Sequence, residues 1–430
     1  MAAVAFWLGV ALTLYAWWTN LPIGSVDTLA AAVRELAHIA GLLGGYVLLV
    51  QVLLMSRVGW LDRRLSAYDL LRMHRSLGGA LVSLVLVHAA LATVGRAWLD
   101  RSSTLDATRT MLARYEGMVS AFVATALLVG VGLLSIRAIR AILPYEVWHY
   151  LHLAGYGALL LSYLHEFADG RTLASGPVRW YWGGLYVFVL ICLGWGRIVA
   201  PIRLNLRHRL RVAEVVHEGQ DVFSIYIRGR RLTELQARAG QFFRWRFLTR
   251  GTWTQAHPFS LSAAPNKRWL RLTVKAVGTH TDQLSWLNPG VRVFAEGPSG
   301  VFTADRRVRQ RALLIAGGSG IAPIRALLED LPRGTVVIYR ASSTDDLIFR
   351  EELDWLADAR DCYVYYVIGS RTDPGPRRVM TARGMRELVP DISRRDVYLC
   401  GPEGHVSAAT RVLHRLRVPK RQIHLDPFEF

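Results

Sequence analysis

Six stretches of mainly apolar residues fill the first half of this chain, roughly 3–19, 30–55, 71–95, 118–136, 147–166 and 182–200. A bilayer core needs about 20 such residues per helix, so this pattern predicts a bundle of six transmembrane helices. The first stretch is uncharged, lacks the basic start and small-residue cleavage site of a signal peptide, and reads as a membrane helix. Charge divides the chain in the same place. Residues 1–200 carry 15 arginines, no lysine and 10 acids, a net of +5, and the rest carries +14 of the total +19. The basic residues are dispersed, with no Lys/Arg block joined to exposed aromatics, so no nucleic-acid partner is expected. The basic run 203–211 suits anionic lipid. Three cysteines, Cys192, Cys362 and Cys400, exclude a disulfide scaffold and any four-cysteine zinc or iron–sulfur site.

Loop arginines give the orientation. Those after the second, fourth and sixth spans hold 12 (Arg57, Arg63, Arg64, Arg72, Arg75, Arg137, Arg140, Arg197, Arg203, Arg207, Arg209, Arg211). The opposite loops hold six (Arg96, Arg101, Arg109, Arg114, Arg171, Arg179). Both termini are therefore expected in the cytoplasm, with spans three and five both running outward.

Ionisable residues inside spans are functional candidates. Span three carries His74 and His88, and span five carries His149, His152 and His165. His74 and His88 leave one helix face about 21 Å apart, and His152 and His165 are separated by about 20 Å of rise. The depths match. The angle does not, since 13 residues on an ideal helix miss the same face by about 140°. A local distortion is needed, and Gly155 and Gly157 lie where one costs least. His149 with His165 fits no better in angle and worse in rise. One such histidine alone reads as a hydrogen-bonding bundle residue. Two depth-matched pairs on parallel spans point to axial ligation of two haems.

Residues 201–305 alternate short strands with Gly, Pro and Asn turns. Strands are expected at 211–216, 222–227, 242–247, 271–276 and 291–295, forming a small antiparallel β-barrel. Inside it lie His257-Pro258-Phe259-Ser260, then Lys275 to Thr281 with Gly278, then Glu296-Gly297-Pro298-Ser299-Gly300. Residues 311–425 alternate strands (311–316, 335–339, 362–368, 396–399) with helices. The first runs into Gly317-Gly318-Ser319-Gly320-Ile321-Ala322-Pro323 and a helix over 324–331, the nucleotide-phosphate arrangement. Another ends in Cys400-Gly401-Pro402. Ligands of such sheets sit at strand carboxyl ends, which gathers Gly317–Gly320, Arg340 and Cys400 around one crevice. Arg340 and Arg371 are candidates for a 2′-phosphate. The expected organisation is a membrane domain over 1–202, an antiparallel β-barrel over 203–306 and an α/β nucleotide domain over 307–430.

These residues resemble the transmembrane NADPH oxidases and, more broadly, the ferric reductase family, from about residue 30 to Phe430. The histidine spacings of 14 and 13 match that family's haem ligands. His257-Pro258-Phe259-Ser260 is similar to its flavin motif, which more often ends in Thr. Gly317 to Pro323 is similar to its nicotinamide-nucleotide motif, and Cys400-Gly401-Pro402 to the motif near the nicotinamide ring. The terminal Phe430 resembles the family's aromatic beside the flavin. The resemblance implies two b-type haems, His74 with His152 on the inner side and His88 with His165 on the outer. It also implies FAD in the barrel and NADPH or NADH in the last domain, a ferredoxin-reductase-like pair. Ser260 would hydrogen-bond near the flavin N5, and Phe430 would cover the ring until nicotinamide displaces it. Many oxidases of this family carry a further histidine one turn beyond the outer ligand of span three, where this chain has Ala92.

The expected function is electron transfer from cytosolic NAD(P)H through FAD and two haems to external oxygen, giving superoxide. A ferric-chelate reductase with the same wiring is the alternative. Arg34 and His38, one turn apart near the outer end of span two, are candidates for the acceptor site. No calcium gating and no obligatory protein partner are expected. The setting is a cell membrane, and the Arg- and Ala-rich, Lys-poor composition suggests a bacterial one.

Overall fold

The computed structural model describes all residues except 1, 22–23, 25, 170–172, 174–175, 371 and 429–430. Two compact units emerge: Met1–Val58 with Leu70–Trp195, and Gly59–Asp69 with Gly196–Phe430.

The first unit is helical. All six apolar stretches form helices: α1 (Ala2–Thr19), α2 (Leu29–Leu54), α3 (Ala67–Asp100), α5 (Met118–Leu134), the pair α6 (Tyr145–His152) and α7 (Ala154–Asp169), and α8 (Gly176–Gly194). A short helix α4 (Thr104–Arg114) precedes α5. Thr28 caps α2 by accepting from the Ala31 N–H at 3.2 Å, which satisfies an orphan donor of the first turn. Helices α2, α3 and the run Gly176–His208 are long and apolar enough to cross a membrane. Helices α4 and α5 meet at a bend of 117° and count as a fourth span if taken together. The first helix and both parts of the fifth stretch are shorter, so length and composition support three or four crossings where the sequence predicts six. The core joins Leu42, Tyr46, Leu49, Leu81, Leu128, Leu159, Trp182 and Tyr186 from five of the stretches.

The distortion required between His152 and His165 is present. Helix α6 ends at His152 and α7 starts at Ala154, leaving Leu153 between them. The break falls two residues before Gly155, which a periodicity argument could not locate.

Helix α8 continues through a π-helical turn, Trp195–Val199, into α9 (Ala200–His208). The boundary between the compact units falls inside this run, at Trp195/Gly196. The second unit begins with six antiparallel strands. They divide into two sheets of order β1-β2-β5 and β4-β3-β6, with β1 at Arg211–His217, β2 at Val222–Arg228, β3 at Phe242–Phe247, β4 at His257–Ser260, β5 at Leu270–Lys275 and β6 at Val293–Ser299. Register shifts at Val212/Glu214 and Phe242/Arg244 interrupt the ladders, and such bulges bend and twist strands. Isolated bridges Arg211–Arg292 and Leu261–Leu272 link the sheets. One core fills the space between them, with Phe223, Phe243, Trp245 and Phe247 fully enclosed. Removing Phe243 would cost roughly 3–5 kcal/mol.

The last part is a five-stranded parallel sheet of order β11-β10-β7-β8-β9, with β7 at Ala312–Gly317, β8 at Val336–Ala341, β9 at Tyr363–Ile368, β10 at Asp396–Pro402 and β11 at Ile423–Phe428. Helices α10 (Ile321–Asp330) and α11 (Arg350–Arg360) cover one face and α12 (Glu403–Arg415) the other. Sequence analysis anticipates four of these strands and misses β11. Its residues are half-buried throughout, so it lacks the continuous apolar run that marks the inner strands. From β7 the chain winds outward through β8 and β9, then returns to add β10 on the other side. The switch point lies between β7 and β10.

Candidate functional site

In the membrane unit the four histidines face each other as two pairs. The His74 and His152 rings are 6.0 Å apart between centres, and those of His88 and His165 are 6.3 Å apart. Two metal–imidazole bonds of about 2 Å, plus about 1 Å from each nitrogen to its ring centre, give a separation of about 6 Å for two axial ligands on one metal. The pairs have that spacing, while their planes are inclined at 65° and 56°, so neither is a stacked pair.

The ring nitrogens support the same chemistry. His88 Nδ1 lies 2.8 Å from the Ala37 carbonyl oxygen. A carbonyl only accepts, so this nitrogen carries the proton and leaves Nε2 with its lone pair, the usual arrangement of a ligating histidine. His152 Nδ1 lies 3.4 Å from Ser135 Oγ. Its ring stacks on Trp148 at 4.9 Å, and the Arg140 guanidinium lies 4.7 Å from the Trp148 ring. His74 Nδ1 and His165 Nδ1 are buried without a hydrogen-bond partner, an arrangement that calls for an explanation in a folded protein. Among the described residues no group of three or more His, Cys, Asp or Glu could hold a metal. A haem iron asks the protein for only two ligands.

Glycines make room for the His88 ring and for the backbone that carries His165. A Cβ at Gly41 would lie 2.7 Å from His88 Nδ1, and one at Gly117 would lie 3.0 Å from the His165 Cα. Gln51 Nε2 donates to the His74 carbonyl at 3.0 Å. Beside His165, Glu166 accepts from Trp182 Nε1 at 2.7 Å and Tyr186 OH at 3.1 Å, in space left by Gly45. Sequence reasoning missed Gln51, Trp148 and Glu166, although Glu166 is an acid inside an apolar span and so carried a signal.

Arg34 and His38 come together around a third residue that was also missed. Glu35 is 3% exposed. Its carboxylate lies 3.6 Å from Arg34 Nη2 and 3.8 Å from His38 Nδ1, and accepts from Trp17 Nε1 at 3.2 Å.

In the second unit, β4 carries His257, Pro258, Phe259 and Ser260 at the edge of its sheet. The His257 and Phe259 rings are parallel within 7°, with centres 5.6 Å apart. Lys275, at the end of β5, lies 3.6 Å from Asp346. The Gly278–Thr281 turn is closed on itself. Thr281 Oγ1 accepts from the Val277 and Gly278 amides at 3.0 and 3.2 Å. Those amides are engaged locally rather than displayed to a phosphate.

The crevice at the sheet's switch point is built from backbone. A Cβ at Gly320 would lie 2.4 Å from the Cys400 carbonyl oxygen, and one at Gly401 would lie 2.9 Å from the Gly317 carbonyl oxygen. Side chains are excluded where the two strand ends meet. Gly318 adopts φ +55° with nothing within 4 Å of its Cβ position, so the turn is open there. Ser319, Gly320, Ile321, Ala322 and Pro323 lead into α10. This fits a nucleotide phosphate approaching main chain at a helix start. Cys400 is fully buried, and its thiol donates to the Asp426 carbonyl at 3.0 Å. Burial, and then the Asp426 charge, push it well above the usual thiol range, so it is a neutral packing group and not a nucleophile. Pro402 ends β10. Arg340 pairs in register with Gly317, and its Nη2 donates to the Gly369 carbonyl at 3.4 Å. Arg371 and Phe430 lie outside the described residues.

Three family models match the chain in order. They are the ferric reductase like transmembrane component over residues 40–163, an FAD-binding domain over 207–302 and an oxidoreductase NAD-binding domain over 314–411. Among curated proteins, the flavohemoprotein of Oceanobacillus iheyensis is 28% identical over 186 residues, which is 40% of this chain and 46% of that protein. The ferredoxin reductase component of the 3-ketosteroid-9-alpha-monooxygenase of Mycolicibacterium smegmatis is 31% identical over 234 residues, 51% of this chain and 65% of that protein. The chain thus spans about half to two thirds of these relatives. The FAD/NAD-binding domain of nitric oxide dioxygenase from Vibrio cholerae aligns with a TM-score of 0.43 at 24% identity, covering 51% of this chain and 98% of that domain. A ferric-reductase-like membrane component followed by FAD- and NAD-binding domains gives this chain the NADPH oxidase and ferric reductase-like architecture.

Proposed function

We propose that the protein carries electrons from cytoplasmic NADPH or NADH, through FAD and two b-type haems, to oxygen on the far side of a bacterial cell membrane, producing superoxide. The observation that carries this reading is the pair of facing imidazoles, twice repeated, at the separation of axial ligands. When bound, FAD supplies the conversion of a two-electron hydride into single electrons, and haem supplies single-electron carriage.

The protein's own residues bind and orient. His74 with His152, and His88 with His165, would hold the two haems; the Ala37 carbonyl fixes the proton on His88 Nδ1 and leaves the lone pair on Nε2. Gly317, Gly318, Ser319 and Gly320 receive the nucleotide phosphates, and Arg340 with Arg371 reads the ribose end. Gly401 and Pro402 shape the nicotinamide end, where the buried Cys400 thiol is a non-ionised wall. His257, Pro258, Phe259 and Ser260 line the flavin, with Ser260 near N5 and the Lys275 ammonium toward its phosphates. Phe430 covers the ring in the resting protein. Arg34 is the cation nearest the acceptor, steadied by Glu35. Six apolar stretches are read as six crossings, and the loop arginines then put both termini in the cytoplasm. No other protein is needed for this chemistry.

Ala92, in place of the family's further histidine, favours a second reading with ferric chelate as acceptor. Detergent-purified protein with added FAD and NADPH distinguishes them. Cytochrome c reduction abolished by superoxide dismutase is the expected result. Dismutase-insensitive ferric reduction would replace oxygen with iron, and no turnover with either acceptor would overturn both.

A further inference from the structure

A buried ionic cluster ties the flavin strands to the nucleotide sheet, and no step above uses it. Arg271 on β5 is 2% exposed. Its Nη1 and Nη2 donate to the two Glu352 carboxylate oxygens at 2.7 and 3.0 Å, a bidentate pair. Its Nε and Nη2 also donate to Ser262, at 3.1 Å to the hydroxyl and 2.9 Å to the carbonyl. The guanidinium carbon lies 4.7 Å from the Phe349 ring centre. Glu352 on α11 takes a third bond, from Arg325 Nε at 2.6 Å. Arg325 on α10 pairs in turn with Glu329, whose carboxylate accepts from the Ala264 amide at 2.9 Å. Burial acts to raise the Glu352 carboxyl, and the two guanidiniums outweigh it, holding the group below the usual range.

The two ends of this cluster matter. Ser262 lies two residues beyond Ser260, at the exit of the flavin strand. Arg325 lies on the helix that starts where the Gly317–Gly320 turn ends. A buried ion pair is weak evidence of stabilisation, because apolar residues of similar volume often serve as well. A planar, bidentate, fully paired arginine instead imposes geometry.

We propose that Arg271, Glu352 and Arg325 are positioning residues that fix the nucleotide sheet against the flavin strand and so set the approach of nicotinamide to flavin. This rests on the cofactor placement proposed above. Misplacement by about 1 Å from a distant change can cost roughly a hundredfold in rate. The test uses the full-length protein loaded with FAD and haem, reduced anaerobically in a stopped-flow instrument by NADPH and by its 4-deuterated form. Glu352→Gln keeps shape and removes charge. Expected are roughly a ten- to hundredfold slower flavin reduction per bound flavin and an altered deuterium isotope effect, with FAD content near wild type and a thermal midpoint lowered by loss of the buried charge pair. Arg325→Lys should show the same change, smaller. If either variant loses flavin yet reduces what remains at the wild-type rate and isotope effect, the residues are merely structural and the proposal falls. Wild-type rates with full flavin also overturn it. Failure of the wild-type flavin to accept electrons from NADPH would instead sink the cofactor placement itself.

Discussion

Gly41 in the membrane half and Gly320 and Gly401 in the soluble half serve opposite purposes. In the membrane half, Gly41 gives way to a side chain, the His88 ring, and that ring is the candidate ligand. In the soluble half, Gly320 and Gly401 give way to backbone, and the main chain itself is the candidate site. A side chain can shift by a few tenths of an ångström; two strands locked in a parallel sheet cannot. The membrane site should therefore tolerate glycine changes better than imidazole changes, and the nucleotide crevice the reverse.

The largest effect is expected at an imidazole. His88→Ala should lower haem content from about two to about one per chain and abolish electron delivery beyond the membrane, while NADPH still reduces the flavin. Pyridine haemochrome analysis and anaerobic flavin spectra check both parts. Next is Gly320→Ala, whose new methyl group meets the Cys400 carbonyl at 2.4 Å. Overpacking of this kind costs about 1–3 kcal/mol. Calorimetry should show a thermal midpoint several degrees lower, with NADPH-dependent flavin reduction impaired and haem content unchanged.

Gly41→Ala presses on the flexible His88 ring and on its bond to Ala37. Disturbing an outer partner of a ligating histidine typically costs 10–100-fold in metal affinity. Haem titration of the apoprotein should show one of two sites weakened, with flavin reduction unaffected; equal weakening of both would break the contrast. The smallest effect concerns pH. The Glu352 carboxyl is held below its usual value, so its contribution to stability is present above the unfolded value of about 4.3 and lost as pH falls through the lower folded one. Between pH 7 and pH 3.5 the thermal midpoint of wild type should fall further than that of Glu352→Gln.

Local patterns carried much of this fold into the sequence. Strands β1, β2, β3 and β5 fall within a residue or two of their expected ranges, because alternation between core and solvent is a property of neighbours. The spacings of His74, His88, His152 and His165 were visible for the same reason. The distortion between His152 and His165 was required by the angular mismatch, but its site at Leu153 depends on how α6 and α7 pack against α5 and was not visible. Residues that act through distant partners left no periodic trace. Arg271 and Glu352 are 81 positions apart, and each alone looks like a surface charge on an Arg-rich chain. The Thr281 turn shows the converse, where a glycine beside a small hydroxyl residue stands out in the sequence yet its amides are spent on that hydroxyl.

The central claim is that four imidazoles hold two haems in the membrane half. Reduced-minus-oxidised spectra of the detergent-purified wild-type chain, with haem quantified against protein, test it most directly. The account predicts b-type bands and about two haems per chain, with low-spin character from two nitrogen axial ligands. A chain that binds its flavin yet takes up no b-type haem would contradict it.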